Sequence, residues 1–115
     1  MRTIGNTPVD GEVRAVASGA LANGNTVIVN ADGTVSVVGG GNLTSENYIG
    51  IAKGAASDTA VATVQTGCSI NDAQSGLTAG QDYYVQTDGT LGLTAADPSV
   101  LAGTAVSATK LIVKG

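Results

Sequence analysis

Histidine, phenylalanine and tryptophan are missing from the 115 residues, cysteine occurs once and tyrosine three times, and charged residues make up only 12%. Each absence removes a class of function. Without histidine the chain lacks the commonest general base and transition-metal ligand. Cys68 alone forms neither an internal disulfide nor a thiolate zinc site. Five Lys and Arg against nine Asp and Glu leave a net charge of −4, which opposes the counterion release that drives nucleic-acid binding. No run approaches the roughly 20 apolar residues that span a bilayer, and no apolar signal core follows Met1 and Arg2. The expectation is a chain made in the cytoplasm, with neither nucleic acid nor membrane as a partner.

What is present is glycine, 17 residues of it, in a chain that is 43% hydrophobic. The length suits one domain with one modest core. Apolar and polar residues alternate in short runs between turn signals, which is the pattern of strands. Candidate strands are residues 12–17, 26–30, 34–38, 48–53, 60–66, 82–87, 90–93, 102–107 and 110–114. Their spacing predicts an all-β fold, a compact antiparallel β-sandwich or barrel. One helical turn is expected around Asp97-Pro98.

Two Asp-Gly dipeptides, Asp32-Gly33 and Asp88-Gly89, sit between strand-like runs and predict hairpin tips, because that pair tolerates the positive φ of tight turns. They belong to an internal repeat. Residues 21–37, LANGNTVIVNADGTVSV, and residues 77–93, LTAGQDYYVQTDGTLGL, agree at 6 of 17 positions. A Gly-x-Ala element follows each copy, Gly50-Ile51-Ala52 and Gly103-Thr104-Ala105. Either the chain is a duplication, with half-repeats at 14–70 and 71–115 packed face to face, or two Asp-Gly hairpins look alike by chance. Residues 1–13 read as an extended N-terminal arm, since Pro8 blocks helix and Gly5 and Gly11 loosen the chain. Such an arm adds to a neighbour's sheet edge or simply frays.

Few residues offer chemistry. With no base beside a Ser, Thr or Cys, no nucleophilic triad assembles. Asp32 and Asp88 are accounted for as turn residues, and no spaced acidic loop suits calcium. Gly39-Gly40-Gly41 lacks the following Lys-Ser or Lys-Thr of a phosphate loop. Cys68 fits a small buried apolar position better than a reactive thiol. Neither an enzyme nor a cofactor or metal site is expected, and so few aromatics argue against a small-molecule pocket. Tyr83 and Tyr84 are adjacent in a strand, so one ring faces the core and the other faces out as an interface candidate or an ordinary surface tyrosine.

The segments SGALANGNTVIVNADG, YIGIAKGAASDTAVATVQTGC, GLTAGQDYYVQTDGTLGLT and LAGTAVSATKLIVKG together resemble small tailed-bacteriophage capsid decoration proteins, also called cement proteins. The likeness spans residues 13–115. Residues 76–90 and 103–114 also look like modules of phage fibre proteins. The resemblance implies a β-domain on the exterior of the virion that binds the major capsid protein and copies of itself and stabilises the lattice, gathering as a homotrimer at threefold positions. It places lattice or subunit contacts at Met1, Arg2, Thr3, Ile4, Pro8, Val9 and Arg14, with Tyr83, Tyr84 and the hairpin tips as second candidates. The alternative is a head-fibre, tail-fibre or adsorption module that binds a host surface.

Overall fold

A computed structural model describes residues 11–67 and 69–113. The expected arm residues Met1, Arg2, Thr3, Ile4, Pro8 and Val9, together with Cys68 and Lys114, lie outside the described residues. The described chain is all β. Ten strands run β1 (Glu12–Val16), β2 (Thr26–Val29), β3 (Val35–Val37), β4 (Tyr48–Ala52), β5 (Val61–Gln65), β6 (Ile70–Asn71), β7 (Asp82–Val85), β8 (Leu91–Gly92), β9 (Leu101–Ala105) and β10 (Leu111–Val113). Nine match candidate strands in the sequence, and β6 is too short to leave an alternating pattern. Glu12 and Val13, where the expected arm 1–13 and the candidate strand 12–17 overlap, pair with Gln65 and Val64 as the start of β1. Around Asp97-Pro98 the chain bends without a helical turn, in keeping with the bias of a residue before proline away from the α region.

The strands form two antiparallel sheets ordered β1-β5-β4-β2-β3 and β6-β10-β9-β7-β8. Counted from its own first strand, each sheet has the order 1-5-4-2-3, so the repeat legible in the sequence is a repeat of topology. Its hydrogen bonds repeat too. The Gly24 N–H donates to the Ala52 carbonyl at 2.9 Å, and the Gly80 N–H to the Ala105 carbonyl at 2.8 Å. Both halves carry a register shift at the same place, between Val27 and Ile28 in β2 and between Tyr83 and Tyr84 in β7.

Those bulges explain the Gly-x-Ala elements. Opposite them stand Gly50 and Gly103, where an added Cβ would lie 1.8 Å from the Gln65 carbonyl oxygen and 2.0 Å from that of Ile112. Only a residue with no side chain lets the neighbouring strand approach this closely. The alanines, Ala52 and Ala105, are buried beside them.

The first sheet curls until its edge strands meet at a parallel bridge between Ala17 and Val35, where the Ser18 N–H donates to the Val35 carbonyl. Inside lies a small core of its own, with Ala17, Leu21, Val27, Val35, Ala52, Ala62 and Val64. Ile28 and Ile51 alternate with these inward residues and point to the back of the sheet. There they join Val38 and Leu43 in a second core with Tyr83, Val85, Ala102, Ala105, Leu111 and Val113. Tyr83, Ala105 and Leu111 occupy the inward positions of the second half, the counterparts of Val27, Ala52 and Val64. The halves therefore pack front to back and not face to face, because the first has already used its concave side on itself.

Each Asp-Gly hairpin has a three-residue loop. The Asn30 N–H donates to the Thr34 carbonyl at 2.7 Å and the Gln86 N–H to that of Thr90 at 2.8 Å. Positive φ falls on glycine alone, +86° at Gly33 and +89° at Gly89, in the manner of a type I turn followed by a left-handed residue. The aspartate has a different task from the one expected of it. Its carboxylate accepts from the hydroxyl and N–H of the next threonine, at 2.6 and 3.1 Å for Asp32 with Thr34 and 2.7 and 3.0 Å for Asp88 with Thr90. Those bonds, the hydroxyl's first, hold both carboxyls below their ordinary pKa. Each is a depressed acid, so its bonds are complete above the ordinary carboxylate range and are lost as pH falls through the lowered value.

The tips differ in surroundings. A Cβ on Gly33 meets nothing within 4 Å, whereas one on Gly89 would lie 2.5 Å from the Val38 carbonyl oxygen. The Thr26 hydroxyl donates to the Gly89 carbonyl at 2.7 Å, so the second tip is docked on the first half. Gly33→Ala should cost about 1 kcal/mol from the left-handed backbone alone, and Gly89→Ala about 2–3 kcal/mol because the clash adds to it. Equal losses in thermal unfolding would refute the docking.

Candidate contact surface

The sequence-predicted contacts that are described fall in three places. Tyr83 is a core residue, 5% exposed, whose hydroxyl accepts from the Thr78 N–H at 2.8 Å. It is withdrawn from the contact set because its alternate position in β7 turns it inward. Tyr84 takes the outward position, half-buried on the back of the second sheet opposite Gly92 and Leu101. Asp32 and Gly33 are exposed, while Gly89 is half-buried.

Arg14 is exposed on β1, opposite Thr63. It shares the outward side of the strand with Glu12 and Val16 by the two-residue alternation. Val16 pairs directly with Val61, and the two are 43% and 64% exposed. Lys53 stands next to Thr63 through its N–H at 2.9 Å and reaches the Glu12 carboxylate at 2.8 Å. With its ammonium exposed, that ion pair is worth a few tenths of a kcal/mol. The result is an exposed apolar pair, Val16 and Val61, with two of the five cations of an acidic chain in the next cross-strand row. It occupies the part of the first sheet's back that the second half leaves uncovered.

A cavity of about 460 Å³ opens among Val13, Arg14, Val29, Gly33, Tyr48 and Ile49, residues from both sides of the same sheet. Sequence reasoning missed it, since its walls come from five separate stretches and only one of them, at Tyr48, brings an aromatic residue. Tyr48 packs on the inter-sheet core, and its hydroxyl is buried without a hydrogen-bond partner. Burial pushes that phenol up from its ordinary pKa, so it is neutral. Arg14 and Gly33 thus line one opening of the first sheet, whereas Tyr84 belongs to the second. Among the described residues no three His, Cys, Asp or Glu gather as metal ligands, and no helix is long and apolar enough to cross a membrane. No protein-family model matches the chain, and no curated protein matches it in sequence.

Proposed function

We propose that the chain is a structural protein that attaches in many copies to the outer surface of a bacteriophage capsid and stabilises the lattice. The observation that supports this reading is the exposed Val16–Val61 pair beside Arg14 and Lys53, on a sheet whose curvature is fixed by its own core. Such a patch buries apolar area at little desolvation cost and sets cations against acidic protein. One patch of this size binds weakly, but a lattice presents many equivalent sites, and linked copies gain by multivalency. Binding the assembled shell and not its loose subunits stabilises the shell by mass action.

The test is saturable rebinding to capsids stripped of this protein, read as copies per particle and as the temperature at which particles disrupt. Val61→Asp should lower shell affinity at least 10-fold, since about 1.4 kcal/mol is a factor of ten, and leave the melting temperature of the free protein unchanged. Absence of saturable rebinding by the unsubstituted protein overturns the proposal. Copies confined to a vertex or the tail in particle images would instead identify a fibre or adsorption module.

A further inference from the structure

The two halves treat one seam of the fold differently. In the first half Val29 and Val35 are the pair next to the bond from the Asn30 N–H to the Thr34 carbonyl, so the main-chain groups of Val35 point off β2. There the Val35 carbonyl accepts from the Ser18 N–H at 2.7 Å. The Ser36 hydroxyl reinforces the seam, donating to the Ser18 carbonyl at 2.9 Å and accepting from the Asn30 amide at 2.8 Å. Val35 is fully buried behind this seal. The second half repeats the edge and lacks the seal. Leu91 pairs with Val85 next to the bond from the Gln86 N–H to the Thr90 carbonyl, so its N–H and carbonyl likewise point off β7. Among the described residues neither group has a partner. Gly92 stands where the first half has Ser36, and Gln86, the counterpart of Asn30, turns its amide to the Tyr84 and Thr94 carbonyls. The segment that would close the seam is present, because the Gln74 and Leu77 N–H groups donate to Thr109 and Ala108 as those of Ala17 and Leu21 donate to Ala60 and Ala56. It is held away. A cavity of about 310 Å³ separates Gln74, Ser75 and Leu77 from Gly89, Thr90 and Leu91. The first half props both sides, with the Gln74 amide donating to the Gly24 carbonyl at 3.1 Å and the Thr26 hydroxyl to the Gly89 carbonyl at 2.7 Å. Leu91 is left half-buried.

We infer that this gap accepts one extended peptide segment of a partner protein, which adds to the free edge of β8 and takes the place that residues 17–20 have at β3. The repeat identifies the occupant, since the equivalent carbonyl in the first half is bonded to main chain. Strand edges with unpaired N–H and C=O groups recruit further strands through those same bonds. The guest is uncharged and small in its side chains. No charged side chain lines the cavity among the described residues, and the segment that fills the equivalent place reads Ala17-Ser18-Gly19-Ala20. Neither Val16 nor Val61 is in its lining, so the acceptor is a contact separate from the one proposed for the capsid.

NMR on the full chain tests it, with a synthetic peptide as the probe. In the free protein the Ser18 amide should be protected from hydrogen exchange and the Leu91 amide should exchange freely. The peptide acetyl-AVASGAL-amide, the sequence of residues 15–21, should shift the Ser75, Gly76 and Leu91 amide resonances saturably and slow exchange at Leu91. The same peptide N-methylated at its serine should bind about 10-fold more weakly, for want of one hydrogen bond. All changes are made in the peptide, so the fold of the protein is not at risk. Absence of saturable shifts overturns the inference, as do shifts confined to the first half or equal binding by the N-methylated peptide. A Leu91 amide already protected in the free chain overturns it too, since the seam is then closed, or filled by a second copy where the protection fades on dilution. No readout involves a capsid, so failure of the protein to rebind shells bears on the proposed function and leaves this result untouched.

Discussion

Gly50→Ala is expected to lower the melting temperature by roughly 10–15 °C, an outsized effect for one methyl group, and Gly103→Ala to do the same. At Gly50 the new Cβ would fall 1.8 Å from the Gln65 carbonyl oxygen and 2.9 Å from its carbon. These are backbone atoms held by the β4–β5 pairing of Ile51 with Gln65 and Ala52 with Val64, so no rotamer change relieves the contact. The strands must separate, which places the cost at about 3 kcal/mol or more. For a chain of this size that converts to the stated shift. Gly39→Ala is the control, because a Cβ there meets nothing within 4 Å, and its melting temperature should be unchanged. A normal melting curve for Gly50→Ala would refute the bulge geometry.

The second large effect is a contrast between equivalent positions. Ile51 is fully buried in the core between the sheets, and Ile51→Ala should cost about 3 kcal/mol, within the range of about 2–5 for large-to-small changes in cores. Its counterpart Thr104 is half-buried on the back of the second sheet, its hydroxyl bonded to the Asp82 carboxylate at 2.6 Å. Thr104→Ala should cost no more than about 1 kcal/mol, the net worth of one exposed hydrogen bond. Ile28 and Tyr84 form a second such pair. Urea unfolding at constant m measures both members of each pair, and similar losses within a pair would contradict front-to-back packing.

Much of this fold was legible before any coordinates. Period-two alternation found nine strands, and the two Asp-Gly tips and the Gly-x-Ala elements marked a duplication. The mode of packing was not legible. Val27 and Ile28 are both aliphatic and both buried, so alternation fails in β2 and does not say which face the second sheet covers. The difference lay in the comparison of repeats: Ile28 and Ile51 in one copy stand where Tyr84 and Thr104 stand in the other, and only a covered back favours isoleucine over a residue with a hydroxyl. Of the residues in the proposed contact surface, only Arg14 was named from the sequence. Val16 and Val61 are 45 positions apart in the sequence, and their meeting depends on the β1–β5 pairing, a long-range choice that local pattern does not contain.

Front-to-back packing has one further consequence. A back that accepts the concave side of a like unit would, if every unit had the same back, recruit another and then another, as in the stacked arrays of repeat proteins. Here the two backs differ. The second back presents Asp82, Tyr84 and Thr104 where the first presents Thr26, Ile28 and Ile51, so the second unit carries groups there that keep their hydrogen bonds to water or to each other. The amino-acid difference between the repeats thus acts as a polar cap on the back of the second sheet, disfavouring the same stacking there.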